Sequence, residues 1–166
     1  QDSFKRNLNM YVLSENIDGN FIVSNQVLKN NLKVWINNYR MINDTIDILD
    51  PRIINIKIDF NAVVDYSQDK FEALNAAIGE IQNQFEEKMD IGEPIYITKI
   101  YDTLNNLDEV VDVTSVKITN ASGGRYSDET LNISDYISAD GRILYAPENA
   151  VYELKYANVD IKGTIS

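Results

Sequence analysis

The sequence predicts an α+β fold: a mostly antiparallel sheet with two helices packed on one face, an extra N-terminal helix and a C-terminal hairpin and strand. Three patterns carry that expectation. Residues 54–64 alternate strictly, with Ile54, Ile56, Ile58, Phe60, Ala62 and Val64 on one side and Asn55, Lys57, Asp59 and Asn61 on the other. Such alternation marks a half-buried strand with one wet face. Residues 69–89 switch to helical spacing, Phe71, Leu74, Ile78, Ile81, Phe85 and Met89 falling three or four apart, with Glu72, Asn75, Gln82, Asn83 and Glu86 opposite them. Residues 110–118 then return to a strand pattern.

From the N-terminus, residues 4–13 read as a strand, and the run SENIDGN closes in a glycine turn. Ser24 is placed to cap a helix running to about Ile42. Leu28, Leu32, Trp35, Tyr39 and Ile42 give this helix one apolar face, and Val27, Val34 and Met41 add a second stripe at heptad spacing. The stripes stand roughly 100 to 140 degrees apart around the helix. One face suffices for a surface helix, so two imply burial on two sides, either within the fold or against another chain. Val27, Val34, Trp35, Tyr39 and Met41 are therefore the candidate protein-interface residues.

Asn43 and Asp44 end that helix, and Asp50-Pro51 marks a break before the long strand. Ser67 and Asp69 offer caps for the second helix, and Gly92 and Pro94 break the chain after it. Residues 95–97 suit a short strand, and Thr98 suits the cap of a short helix through Ile100, Tyr101 and Leu104. The alternation of 110–118 changes phase near Ser115, as a β-bulge would require. Residues 120–129 form a polar loop, Asp140-Gly141 a tight hairpin turn between NISDYIS and RILYA, and residues 151–158 a closing strand. The expected organisation is 1–23 as the end of an upstream domain or a lead-in strand, 24–50 as a connecting helix and linker, and 51–166 as the α+β domain.

The chain has 166 residues and contains neither Cys nor His. Disulfides, thiolate nucleophiles, imidazole catalysis and most zinc or copper chemistry are thereby excluded. The net charge of −11 argues against a nucleic-acid partner, because phosphate contacts need a cationic surface. The charge is uneven: residues 1–40 balance at +2 and residues 41–166 at −13. No apolar run is long enough to cross a bilayer, and no signal-peptide pattern opens the sequence.

Little in the sequence points to a reaction. Gly123-Gly124-Arg125 lacks the preceding strand, the capped helix and the Lys-Ser/Thr of a phosphate cradle. The acid pairs Glu86-Glu87, Asp108-Glu109 and Asp128-Glu129 are sequence neighbours, whereas carboxylate catalysis needs acids facing each other across a cleft. No catalytic residue, metal ligand, cofactor or small-molecule ligand is expected. Tyr126, Tyr136 and Tyr145, near the loop and hairpin, leave room for a carbohydrate- or receptor-binding module, and a carboxylate-based glycan hydrolase is the remaining enzymatic alternative.

From residue 28 to 119 the chain carries, in order, Leu32-Lys33 and Tyr39 in a helix, Pro51 before a strand, Gly92, Pro94, Ile100 and Tyr101, and a closing V-V-D-V run at 110–113. That order of segments resembles the C-terminal part of the baseplate-J-like family of contractile-tailed phages. The family often carries Pro-Gly before that last strand, where this chain has Leu107-Asp108-Glu109. The resemblance implies a structural, non-enzymatic baseplate wedge component located in the virion tail and assembled in the host bacterial cytoplasm. It implies self-association as a dimer or ring, contacts with neighbouring wedge proteins, no cofactor, and transmission of the baseplate's conformational change.

Overall fold

The structure, a computed structural model, describes residues 6–39 and 44–166. It divides into two compact units, Gln1–Arg52 and Ile53–Ser166.

In the first unit, β1 (Arg6–Tyr11), β2 (Leu13–Glu15), β3 (Phe21–Val23), α1 (Gln26–Asn37) and β4 (Asp44–Leu49) follow in order. The expected strand over 4–13 is interrupted at Val12, between β1 and β2, although the Val12 N–H still bonds Leu49 O of β4 at 3.0 Å. β2 and β3 form an antiparallel hairpin closed by Gly19, which takes a φ of 77° that favours glycine. The helix cap is Asn25, whose Oδ1 accepts from Val27 N at 2.9 Å, and not Ser24. Ser24 is buried instead, its hydroxyl donating to Val12 O and lying 2.8 Å from Ser14 Oγ. The helix ends at Asn37, short of the expected Ile42, and residues 40–43 lie outside the described residues. The stretch expected as linker, 44–50, holds a full strand: β4 pairs in parallel with β1, Leu8 opposite Ile46 and Met10 opposite Ile48.

The second unit has the expected α+β class. Its sheet runs β10–β5–β7, from β5 (Arg52–Val64), β7 (Val110–Asn120) and β10 (Ile161–Ile165), and β9 (Ala150–Glu153) also pairs with β5. β7 is antiparallel to β5 and β10 parallel to it, while β6 (Ile95–Tyr96) and β8 (Ile143–Leu144) form a small antiparallel ladder. The helices α2 (Lys70–Gln84) and α3 (Ile97–Asn105) pack against β10 and β7 respectively and against each other. The core lies beneath them, built from Ile54, Ile56, Ile58, Phe60 and Ala62 with Ile81, Ile100 and Leu104. The register of β5 against β7 slips between Asn61 and Ala62, opposite Ser115 and Val113, which places a bulge where the sequence phase shift predicts one.

Details of the expected elements change in this unit. α2 is capped by Asp69, one of its two candidates; of its expected apolar face Ile81 is buried and Leu74, Ile78 and Phe85 pack partly buried against the core, but Phe71 is 77% exposed, and Ala73 and Ala77 take the other buried positions. α2 lies close on β10: a Cβ on Gly163 would stand 2.5 Å from Leu74 Cδ1 and 2.8 Å from Phe60 Cε1. Met89 lies beyond the helix end, partly buried against the core. Thr98 does not cap α3, since the cap position falls to Tyr96 with no side-chain bond. The Asp140-Gly141 hairpin forms, with Gly141 at φ 72°: Ile137 bridges Leu144 in antiparallel sense, and Ser138 N donates to Ile143 O and Tyr145 N to Tyr136 O, both at 2.8 Å, while the start of the first arm is a helical turn, α4 (Ile133–Tyr136). The tail strand stops at Glu153, and the chain turns through α5 (Ala157–Asp160) before entering β10.

Candidate interaction surface

The candidate interface residues lie on α1, and none of the residues of this helix is buried. Its inner side is set by Lys29, Leu32 and Ile36, which are half-buried. Lys29 Nζ reaches Asp50 Oδ2 at 2.7 Å and Lys33 Nζ stands 3.8 Å from Asp47 Oδ1, fixing that side toward β4. Val27, Leu28, Val34, Trp35 and Tyr39 are all exposed, Trp35 at 59%, while Met41 lies outside the described residues. At about 100 degrees per residue these five span an arc of roughly 140 degrees. The Trp35 and Tyr39 rings pack on each other, centroids 4.8 Å apart and tilted by 47°. Leu28, Trp35 and Tyr39 of the first stripe therefore lie outside with Val27 and Val34 of the second, on one exposed side of the helix rather than two buried ones.

The face is also uncharged. Lys29 and Lys33 are the only charged residues of α1, and both are committed to the ion pairs just described. Apart from Lys33, what is exposed is Val, Leu, Trp and Tyr among Gln26, Asn30, Asn31, Asn37 and Asn38. An exposed apolar strip with a neutral amide border is the composition of a protein-contact surface.

A second constellation, missed by the sequence reading, lies in the second unit on the face of β5 away from the helices. Asn55, expected to be wet, is fully buried: its Nδ2 donates to Glu153 Oε2 and its Oδ1 accepts from Ser127 N, both at 2.7 Å. Asp160 is likewise buried, taking the Tyr126 hydroxyl on Oδ1 at 2.6 Å and Tyr156 N on Oδ2 at 2.9 Å. The bond to Asp160, with burial, pushes the Tyr126 hydroxyl up to about 12. Cations close the outside: Lys57 Nζ lies 5.2 Å over the Tyr126 ring and the Arg125 guanidinium 4.8 Å over Tyr156. Lys155 Nζ donates to Arg125 O at 2.7 Å.

This arrangement straps the 120–129 loop to the sheet. Both oxygens of Asp160 are occupied by donors, and the cations stand over Tyr faces that a sugar ring would need for stacking. Of the other watched tyrosines, Tyr136 is half-buried against the core, and exposed Tyr145 takes the Tyr152 hydroxyl on its backbone carbonyl at 2.7 Å. The acid pairs of the sequence stay apart from this cluster in kind: Glu86, Glu87, Asp108, Asp128 and Glu129 are exposed. Among the described residues, no group of three or more acidic side chains is placed to hold a metal ion.

No family model matches the chain, and no curated protein matches it. Among the described residues no helix is long and apolar enough to cross a membrane.

Proposed function

We propose that this chain is a structural, non-catalytic subunit of a contractile-tail baseplate, a wedge-ring component that works through protein–protein contacts. The observation that carries the reading is the exposed, uncharged apolar face of α1, centred on Trp35 and Tyr39. An apolar strip of this kind is stabilised by covering it with another chain, at about 25 cal/mol for each Å² removed from water. The likeness of segment order to the baseplate-J-like family, and more narrowly to the large ring-forming wedge protein of T-even phages, supplies the assembly and its virion location.

Two measurements test the proposal separately. Sedimentation of the full chain, alone and mixed with the products of adjacent genes, should show association that Trp35→Glu weakens. Unchanged sedimentation of that variant removes α1 as the contact. Sequencing around the gene should find tail-sheath or baseplate genes, and their absence removes the baseplate assignment.

A further inference from the structure

β7 is the outermost strand of its sheet, and its free edge carries a particular arrangement. A strand edge presents N–H and C=O groups that require partners. On β7 two amides that do not bond β5 are held by side chains instead: Val113 N donates to Asp112 Oδ1 and Val116 N to the Tyr101 hydroxyl, both at 2.9 Å. The bulge between them is anchored inward, by Thr114 Oγ1 on Asn61 O and by Asn61 Nδ2 on Ser115 Oγ. Beyond Val116 the edge borders a cleft of about 550 Å³, lined by Ile97, Ile118, Leu131, Ile133 and Ile137. Near the other end of the strand Val111 is 64% exposed, an apolar side chain with no place in its own core.

From this geometry we infer that the edge of β7 is a strand-addition site for the β7 of a second copy, latched in the single chain by Tyr101 and Asp112. An antiparallel two-fold pairing centred between Thr114 and Ser115 makes the strand complementary to itself. Asp112 then stands opposite Lys117 of the second copy, Val113 opposite Val116, and Val111 opposite Ile118. Asp112 and Lys117 share the face of the sheet away from the helices, as their register partners Val63 and Asp59 require, and Val113 and Val116 share the helix face. Lys117 makes no ion pair among the described residues.

Pairing exchanges each latch for a better-placed partner. Val113 N–H passes from Asp112 to the Val116 carbonyl of the other copy, and Val116 N–H passes from Tyr101 to the Val113 carbonyl. The freed Asp112 carboxylate meets Lys117, and the exposed Val111 enters the cleft beside Ile118. Opposite charges directly across an antiparallel pair stabilise it and like charges oppose it, so one register is selected. The edge belongs to an element other than α1 and makes an isologous contact.

The test is a charge swap followed by sedimentation equilibrium on the full chain carrying Trp35→Glu, which removes any contribution from α1. That chain should still dimerise with rising concentration. Lys117→Asp sets the introduced carboxylate against Asp112 twice in the dimer and should weaken dimerisation about tenfold or more. The double variant Asp112→Lys with Lys117→Asp should recover it. Amide exchange at Val113 and Val116 should slow with concentration in the parent and in the double variant only. A monomeric Trp35→Glu chain, an indifferent Lys117→Asp, or a double variant no tighter than Lys117→Asp would each overturn the inference.

Discussion

Tyr126 donates its hydroxyl proton to the buried carboxylate of Asp160 across 2.6 Å, joining the polar 120–129 loop to the turn that launches the last strand. The bond is charge-assisted, and its loss leaves Asp160 Oδ1 buried without that donor. Tyr126→Phe should therefore lower unfolding stability by about 1–3 kcal/mol, seen as a lower urea midpoint at neutral pH.

The same bond sets a pH dependence. Tyr126 is held up to about 12 in the fold against 10.0 for an unperturbed tyrosine, first by the bond to Asp160 and then by burial. The protonated hydroxyl is the form the fold favours. Its contribution is thus complete below pH 10 and lost as pH rises through 10 toward 12. Burial pushes the Tyr152 hydroxyl up as well, so it adds to the loss in alkali. Denaturation midpoints measured from neutral pH into that range should fall, and Tyr126→Phe should flatten part of the slope. An unchanged slope in that variant would assign the alkaline loss elsewhere.

Asn55 is the other fastener. It bridges Glu153 and Ser127, two positions far from it in sequence, from the interior of β5. Asn55→Ala removes a donor from a buried carboxylate and an acceptor from a backbone amide, and should cost about 2–3 kcal/mol. Asn55→Asp should do no better, since it sets a second carboxylate against Glu153. The readout is chemical denaturation with amide exchange at Ser127, which should accelerate in both variants.

These two fasteners also mark where the sequence stops being readable. The alternation of 54–64 identifies every buried residue on the helix side of β5, because a period of two is a local property. It assigns Asn55 to water by the same rule, and fails because β9 and the 120–129 loop, from far along the chain, cover that end of the other face. β4 is hidden for a similar reason: Ile46 and Ile48 alternate with acids beside Asp50-Pro51, and only pairing with β1 makes that run a strand. On α1 the apolar stripes are legible, but not their direction. Lys29 turns inward to Asp50, and Trp35 faces out.

Two glycines should respond in opposite directions to the same substitution. A Cβ on Gly163 meets the Leu74 and Phe60 side chains, and Phe60 is fully buried with nowhere to move. Gly163→Ala should destabilise by about 1–3 kcal/mol through overpacking between β10 and α2. Gly79, in the middle of α2, has nothing within 4 Å of its prospective Cβ. Gly79→Ala should stabilise by roughly 0.5–1 kcal/mol, through helix propensity and a less free unfolded chain. Thermal midpoints moving the same way in both variants would contradict the packing of α2 on β10.

The chain carries a single Trp, so its fluorescence reports on α1 alone. Trp35 is 59% exposed and its ring packs, tilted, on Tyr39, so emission from the dilute chain should lie near that of tryptophan in water. Covering the face with another chain removes the indole from water and should shift emission to shorter wavelength with rising concentration or on adding the partner. Val34→Asp, one residue away on the same exposed arc, should abolish that shift while leaving the far-ultraviolet dichroism unchanged, because no residue of α1 is buried. A blue-shifted spectrum already present at nanomolar concentration would mean that Trp35 is covered within the single chain, and the contact surface would have to be sought away from α1.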